Sequence, residues 1–311
     1  MQLSFVTLDV FTLKPYGGNP LAVVFLPDSG LTQRQKHIMT KEFNLSETIF
    51  VHPVTKKNKR TIDIFTIECE IPFAGHPTIG AASWFLCHES TSRSGVDTLV
   101  TKSGEIPISI FDQKTQAVTA RIAHNTRIHA NRFPLADLLR LHPSLKVFFK
   151  EEGSFPLFSI VNGMSQTFVE LPSLEALGAV TTATGGELVS VENDAYLDEG
   201  WRSGLICVYF FVRGVDDDVL GKKVIRTRMV LGGLEDPATG SAASGLAAYL
   251  ALTEGRAGQE YKYSLVQGVE MGRRSDIGVG VALDSDGKIG KVELVGTAVQ
   301  VSEGKMTVPE E

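Results

Sequence analysis

Two stretches decide how this chain folds: EIPFAGHPTIGAA, Glu70 to Ala82, and LEDPATGSAASGLAAYLAL, Leu234 to Leu252. Laid over one another, Pro77, Gly80, Ala81 and Ala82 fall on Pro237, Gly240, Ser241 and Ala242 at a constant spacing of 160 residues. That is about half of the 311-residue chain. The register sets His76 opposite Asp236 and Gly75 opposite Glu235. A weaker echo pairs GNPLAVVF (18–25) with GMSQTFVEL (163–171), each a turn running into a strand. A repeat of this length implies a duplicated α/β unit and two similar domains. The boundary is expected near HNTRIHANRF (124–133), giving an N-terminal half at 1–127, which may also recruit a C-terminal strand, and a C-terminal half at 128–311.

Helix chemistry gives each repeated position a reason. Proline suits the first helical residue because the N–H it lacks would have no partner there. His76 and Asp236 are therefore expected at the capping positions. Both runs that follow are apolar on every side, so each is read as a central helix wrapped by sheet. Gly255 is the expected C-terminal stop of the second. The N–H groups of residues 77–80 and 238–241 would point outward and favour an anionic group such as a carboxylate.

Elsewhere the chain reads mainly as strands. LAVVFL, ETIFVHPV, RTIDIFTIEC, DTLVTKSGEIPISIF, LICVYFFVRG and VIRTRMV are rich in branched and aromatic residues and bounded by turn formers. IGVGVALDSDGKIGKVELVGTAVQV reads as hairpins, one closed by Asp286 and Gly287. Helical patterning is confined to 32–43, 134–141 and the two apolar runs. The expected fold class is α+β, two similar domains, each a curled, mixed or mostly antiparallel sheet around one central helix, related by a pseudo-twofold axis.

Composition narrows the function classes. Hydrophobic residues make up 43% and charged residues 21%, an ordinary globular balance. A formal charge of −6 supplies no field to gather nucleic acid or anionic lipid, so neither a nucleic-acid nor a membrane partner is expected. No apolar run is long enough to span a bilayer, and a cytoplasmic location is the default reading. Cys69, Cys87 and Cys207 are too few and scattered for a disulfide framework or zinc site, and read as reduced, mostly buried thiols. His37, His52, His88, His124, His129 and His142 show no metal-ligand spacing, so no metal is expected, and they read as surface or helix residues. No dinucleotide or phosphate-loop glycine pattern sits between a strand and a helix, and no cofactor is expected.

FAGHPTIGAA, EDPATGSAA, GNPLAVV, NLSET (44–48) and QGVEMGR (267–273) together resemble the phenazine-biosynthesis PhzF-like family, over residues 4 to about 301. The resemblance implies the diaminopimelate-epimerase type of fold, with an active site in the cleft between two halves. It also implies cofactor-free isomerisation of a small carboxylate-bearing molecule, and a homodimer is expected by the same analogy. By motif, Glu47 is the expected general acid/base, with His76 and Asp236 as catalytic partners. Gly75, Thr239, Gly240 and Ser241 are the expected substrate-binding residues. Moving a proton between carbons needs one group to take and return it, and donors to hold the transient charge. A carboxylate can serve when enclosure raises its pKa, and Glu47 has Leu45, Ile49, Phe50 and Val51 for neighbours. Where QGVEMGR continues into GRRSD, many relatives carry a proline after the first arginine. Two alternatives are a racemase or epimerase, which in this fold sets a cysteine at each helix mouth, and a binding protein that keeps the site without turnover.

Overall fold

The computed structural model describes residues 1–88 and 95–310. Its contacts divide the chain into two compact units, Met1–Ile122 with Glu293–Glu311, and Ala123–Val292. The first contains β1 (Gln2–Val10), β2 (Asn19–Phe25), α1 (Gln33–Phe43), β3 (Glu47–Val51), β4 (Lys59–Phe65), β5 (Glu70–Ile71), α2 (Gly75–Cys87), β6 (Thr98–Thr101), β7 (Gly104–Asp112) and β8 (Ala117–Arg121). The second contains β9 (Arg127–Pro134), α3 (Leu135–Leu141), β10 (Ser154–Val161), β11 (Met164–Glu170), α4 (Leu174–Gly178), β12 (Leu205–Asp217), β13 (Lys222–Leu231), β14 (Leu234–Asp236), α5 (Gly240–Glu254), β15 (Glu260–Gln267) and β16 (Ser275–Leu283). β17 (Ile289–Gly296) follows, and β18 (Ala298–Thr307) belongs to the first unit.

Strand pairing is the same in both units. β1–β2 is antiparallel, β2–β3 parallel, β3–β4 antiparallel, β4–β5 antiparallel, β4–β6 parallel and β6–β7 antiparallel. β10 to β16 repeat that series step for step, with β10–β11 antiparallel, β11–β12 parallel, β12–β13 and β13–β14 antiparallel, β13–β15 parallel and β15–β16 antiparallel. A parallel pair needs a crossover connection, which explains why α1, α2, α4 and α5 stand where they do. The ninth strand of each repeat is exchanged: β9, ending the first, pairs with β10, whereas β18, ending the second, pairs with β1.

Each unit wraps its sheet around one helix, the α+β arrangement expected. α2 touches β1, β2, β3, β6, β7, β8 and β18, while α5 touches β10, β11, β15 and β16. Residues Gly75 to Phe85 of α2 are all buried, so no side of that helix needs a charged residue. At Gly80 an added Cβ would run into Leu21 Cδ2 and come within 3.0 Å of Val10 Cγ2, so the small residue lets the helix lie directly on β1 and β2. In the second unit Phe133, Leu138, Leu157, Val169, Leu177 and Phe210 anchor an additional apolar cluster under α3 and α4.

Several local expectations need correction. His76 and Asp236 do not cap their helices: the caps are Ala74 and Thr239. α2 starts at Gly75, so Pro77 is its third residue, where an N–H is still dispensable. α5 starts three residues after Pro237, because the Asp236 side chain holds the intervening turn and Thr239 keeps a non-helical backbone at φ −114°, ψ 88°. The outward-pointing N–H groups therefore belong to the turns opening at Ala74 and Thr239, not at residues 77 and 238. Cys69 is exposed outside any strand, not buried within one. His129 and His142 are buried rather than on the surface, each engaged through a ring nitrogen, with Ser159 and with the Thr181 carbonyl respectively.

Candidate active site

In the first unit the site is assembled at the start of β3. Asn44 ends α1 in the left-handed region at φ 51°, and that reversal delivers Ser46 and Glu47 to the strand entrance. Glu47 pairs with Leu21 across the parallel β2–β3 ladder, beside the turn that begins β2. That turn demands glycine at position 18, where φ is +61° and a Cβ would strike the Val10 carbonyl. It places Asn19, which is 1% exposed. Asn19 Oδ1 accepts from Ser46 Oγ at 3.3 Å, which turns its Nδ2 towards His76 Nδ1, 3.4 Å away. Glu47 Oε2 stands 3.4 Å from the same ring nitrogen. Gly75 and His76, the first two residues of α2, are buried, and the cap residue Ala74 makes no side-chain hydrogen bond to that helix.

The Glu47 side chain keeps 18% of its surface, but its Oε2 is buried. Burial pushes its pKa from 4.5 up to about 7, against an opposing hydrogen bond from Ser46. A carboxyl in that range is about half ionised at neutral pH, able to take a proton and to give one back. His76 changes what Nδ1 offers with its protonation: neutral, it can accept from Asn19; protonated, it donates to the carboxylate.

In the second unit Asp236 closes β14. Its Oδ2 accepts the Thr239 hydroxyl at 2.6 Å, and Gln267 binds both ends of the turn, with Nε2 2.7 Å from the Asp236 carbonyl and 3.0 Å from Thr239 Oγ1. Glu235, one residue earlier, is gripped by both arms of Arg228 at 2.7 Å, and Arg228 also donates to the Leu177 carbonyl at 2.9 Å. Gly240 and Ser241 form the opening of α5, which likewise has no side-chain cap. Cys207 lies near enough for the Asp236 charge to act on it: burial first, and that charge second, push its thiol up to about 12. It is a poor thiolate at neutral pH, unsuited to the cysteine chemistry of a racemase.

Thus the structure joins Glu47 to His76, with Gly75 adjacent in α2, and Asp236 to Thr239, with Gly240 and Ser241 following in α5. Sequence reasoning passed over Asn19, Ser46 and Gln267. All three lie in the quoted motifs, GNPLAVV, NLSET and QGVEMGR. A search for ionisable groups overlooks them because they act by hydrogen bonding. Among the described residues no group of three or more His, Cys, Asp or Glu is placed to hold a metal ion. No described helix is long and apolar enough to cross a membrane.

Residues 8–304 match the model of a family described as phenazine biosynthesis-like protein. The chain belongs to the phenazine biosynthesis-like protein family. It is 29% identical over 316 residues to an uncharacterized isomerase of Mesorhizobium japonicum, covering 98% of this chain and 99% of that protein. It is 28% identical over 311 residues to a trans-2,3-dihydro-3-hydroxyanthranilate isomerase of Pseudomonas chlororaphis, covering 98% and 99%. The crystal structure of a Bacillus anthracis phenazine biosynthesis protein of the PhzF family superimposes with a TM-score of 0.76 over 99% of this chain and 100% of that one, at 22% identity. The fold is that of the PhzF family, and the protein is an isomerase.

Proposed function

We propose that this family member moves a proton within a small carboxylate-bearing substrate by acid/base catalysis without a cofactor, and that Glu47 carries the proton. The supporting observation is the buried Glu47 carboxyl beside His76, pushed by burial to about 7. Ionised Glu47 takes a proton from an acidic C–H, leaving the electron pair delocalised into the substrate's unsaturated system. The resulting carboxylic acid returns the proton at another carbon, so no net redox change occurs and no co-reactant is consumed. His76 next to the carboxyl would steady the charge that Glu47 gains and loses. Asp236 is assigned to orienting or polarising the substrate. Gly75, Gly240 and Ser241, at the two helix openings, would offer N–H and hydroxyl donors to its carboxylate, while Thr239, whose own N–H and hydroxyl are engaged by Gln267 and Asp236, would line the opening of α5 as a substrate-binding residue without donating.

The P. chlororaphis relative is named for an unsaturated cyclic amino acid carrying a hydroxyl. That chemistry, an acidic C–H conjugated with a double bond and a carboxylate, is the class proposed here. Trans-2,3-dihydro-3-hydroxyanthranilate and a panel of small unsaturated carboxylic acids can be incubated with the protein in heavy water and followed by NMR. Rearrangement or deuterium uptake is expected with wild type on at least one compound, and loss of it with folded Glu47→Gln. Undiminished exchange by that variant would remove Glu47 from the mechanism. Binding without exchange across the panel would favour a protein that holds the ligand without turning it over.

A further inference from the structure

Gln267, the last residue of β15, has no exposed surface, and the orientation of its amide is over-determined. The Asp236 carbonyl can only accept, so the amide atom 2.7 Å from it is Nε2. The Thr239 backbone N–H can only donate, so the atom 3.3 Å from it is Oε1. The buried Tyr209 hydroxyl donates to that same Oε1 at 3.0 Å and lies 3.1 Å from Thr227 Oγ1. Two partners of fixed polarity, the Asp236 carbonyl and the Thr239 N–H, thus forbid the flipped amide, and the Tyr209 hydroxyl suits the orientation they set.

With the amide fixed, its two hydrogens are directed. One goes to the Asp236 carbonyl and the other to Thr239 Oγ1 at 3.0 Å. Because Thr239 Oγ1 receives that hydrogen, its own is left to point at Asp236 Oδ2, 2.6 Å away. We propose that Gln267 is a positioning residue: its amide sets the Thr239 rotamer and the direction of the Thr239–Asp236 hydrogen bond, holding Asp236 as an acceptor of fixed orientation. Its bearing on catalysis rests on the reading above that Asp236 and Thr239 serve the reaction. Tyr209 acts one step further out, by holding Oε1.

The test reads Thr239 directly and needs no substrate. Three-bond couplings to the Thr239 methyl carbon report its side-chain rotamer in isotope-labelled wild type, Gln267→Glu and Tyr209→Phe. Gln267→Glu keeps an acceptor for Tyr209 and the Thr239 N–H but loses at least one directed hydrogen. Tyr209→Phe is nearly isosteric and keeps the fold testable should the first variant fail to fold. A single rotamer is expected in wild type, and averaging between rotamers in Gln267→Glu and, to a lesser degree, in Tyr209→Phe, with α5 amide signals beyond Ala243 unmoved. A single unchanged Thr239 rotamer in both variants, or in Tyr209→Phe alone should Gln267→Glu not fold, would overturn the proposal. With trans-2,3-dihydro-3-hydroxyanthranilate as probe, kcat of Gln267→Glu should fall about tenfold or more while KM stays within about twofold, as misplacement of an orienting group would produce. Wild type inert towards that probe would count against the substrate reading, and the rotamer result would still decide the role of Gln267.

Discussion

The openings of α2 and α5 derive from one repeated motif, yet they are built to opposite specifications. Around Glu47, the contacts among Asn19, Ser46 and His76 run from 3.3 to 3.4 Å, and burial, not pairing, sets the carboxyl's proton affinity. Around Asp236, hydrogen bonds of 2.6, 2.7 and 3.0 Å tie the carboxylate, the turn and Thr239 into one piece. A group that must gain and lose a proton is served by loose neighbours that suit either state. A group that must hold a direction is served by a fully bonded network. The strand that follows the first parallel crossover of each repeat differs too: β3 opens with Glu47 and β12 with exposed Leu205, so only one repeat has a carboxyl there.

The largest effect that would break this comparison is catalytic. Glu47→Gln keeps the shape and removes the titrating group, and should lower turnover about a thousandfold, in the range expected for loss of an acid/base residue. Loss by less than tenfold would make the two openings functionally alike. Next, Arg228→Leu should cost about 3 kcal/mol in denaturant unfolding, because Glu235 would be left charged and unpaired with only 12% of its side chain exposed. Among the described residues no arginine or lysine forms a comparable ion pair with Glu47, so Ser46→Ala should cost about 1 kcal/mol or less.

A pH series sharpens the contrast at a similar or smaller scale. Glu47 has a higher pKa folded, about 7, than its ordinary 4.5, so the folded state binds more protons between those values. Its contribution to stability is fully present below 4.5 and is lost as pH rises through 7. The whole shift corresponds to at most about 3 kcal/mol. Glu47→Gln lacks that loss, so the stability of wild type relative to the variant should decline from pH 4.5 to 8, by thermal unfolding at each pH. A flat difference would mean that the carboxyl is not held in a desolvated setting. An effect on the scale of Ser46→Ala is expected for Gly80→Ala. Crowding of Leu21 and Val10 works against the gain in helix propensity, for a net loss of about 1 kcal/mol.

The repeat at 160-residue spacing revealed the duplicated plan because it lies in helices packed on all sides, where apolar small residues have no other use. The helix starts were not legible, since a proline fits any position of a first turn and the Asp236–Thr239 bond, which delays α5, is a matter of side-chain geometry. Glu47 and His76 stood out as chemical types, but the 3.4 Å between them is created by the left-handed Asn44 and the Gly18 turn. Gln267 was invisible for another reason: an amide has no charge to attract notice, and its importance comes from having four partners at once.

The traded ninth strand carries a consequence for the protein's ancestry and for attempts to cut it. A polypeptide ending after β9 would send that strand away and leave the edge of β1 bare, because the partner of β1 arrives only with β18. Expressing either repeat alone should therefore yield sticky, self-associating material. Two identical single-repeat chains lending each other their last strand would have met the need before any fusion, and the present single polypeptide would preserve that reciprocal loan within itself.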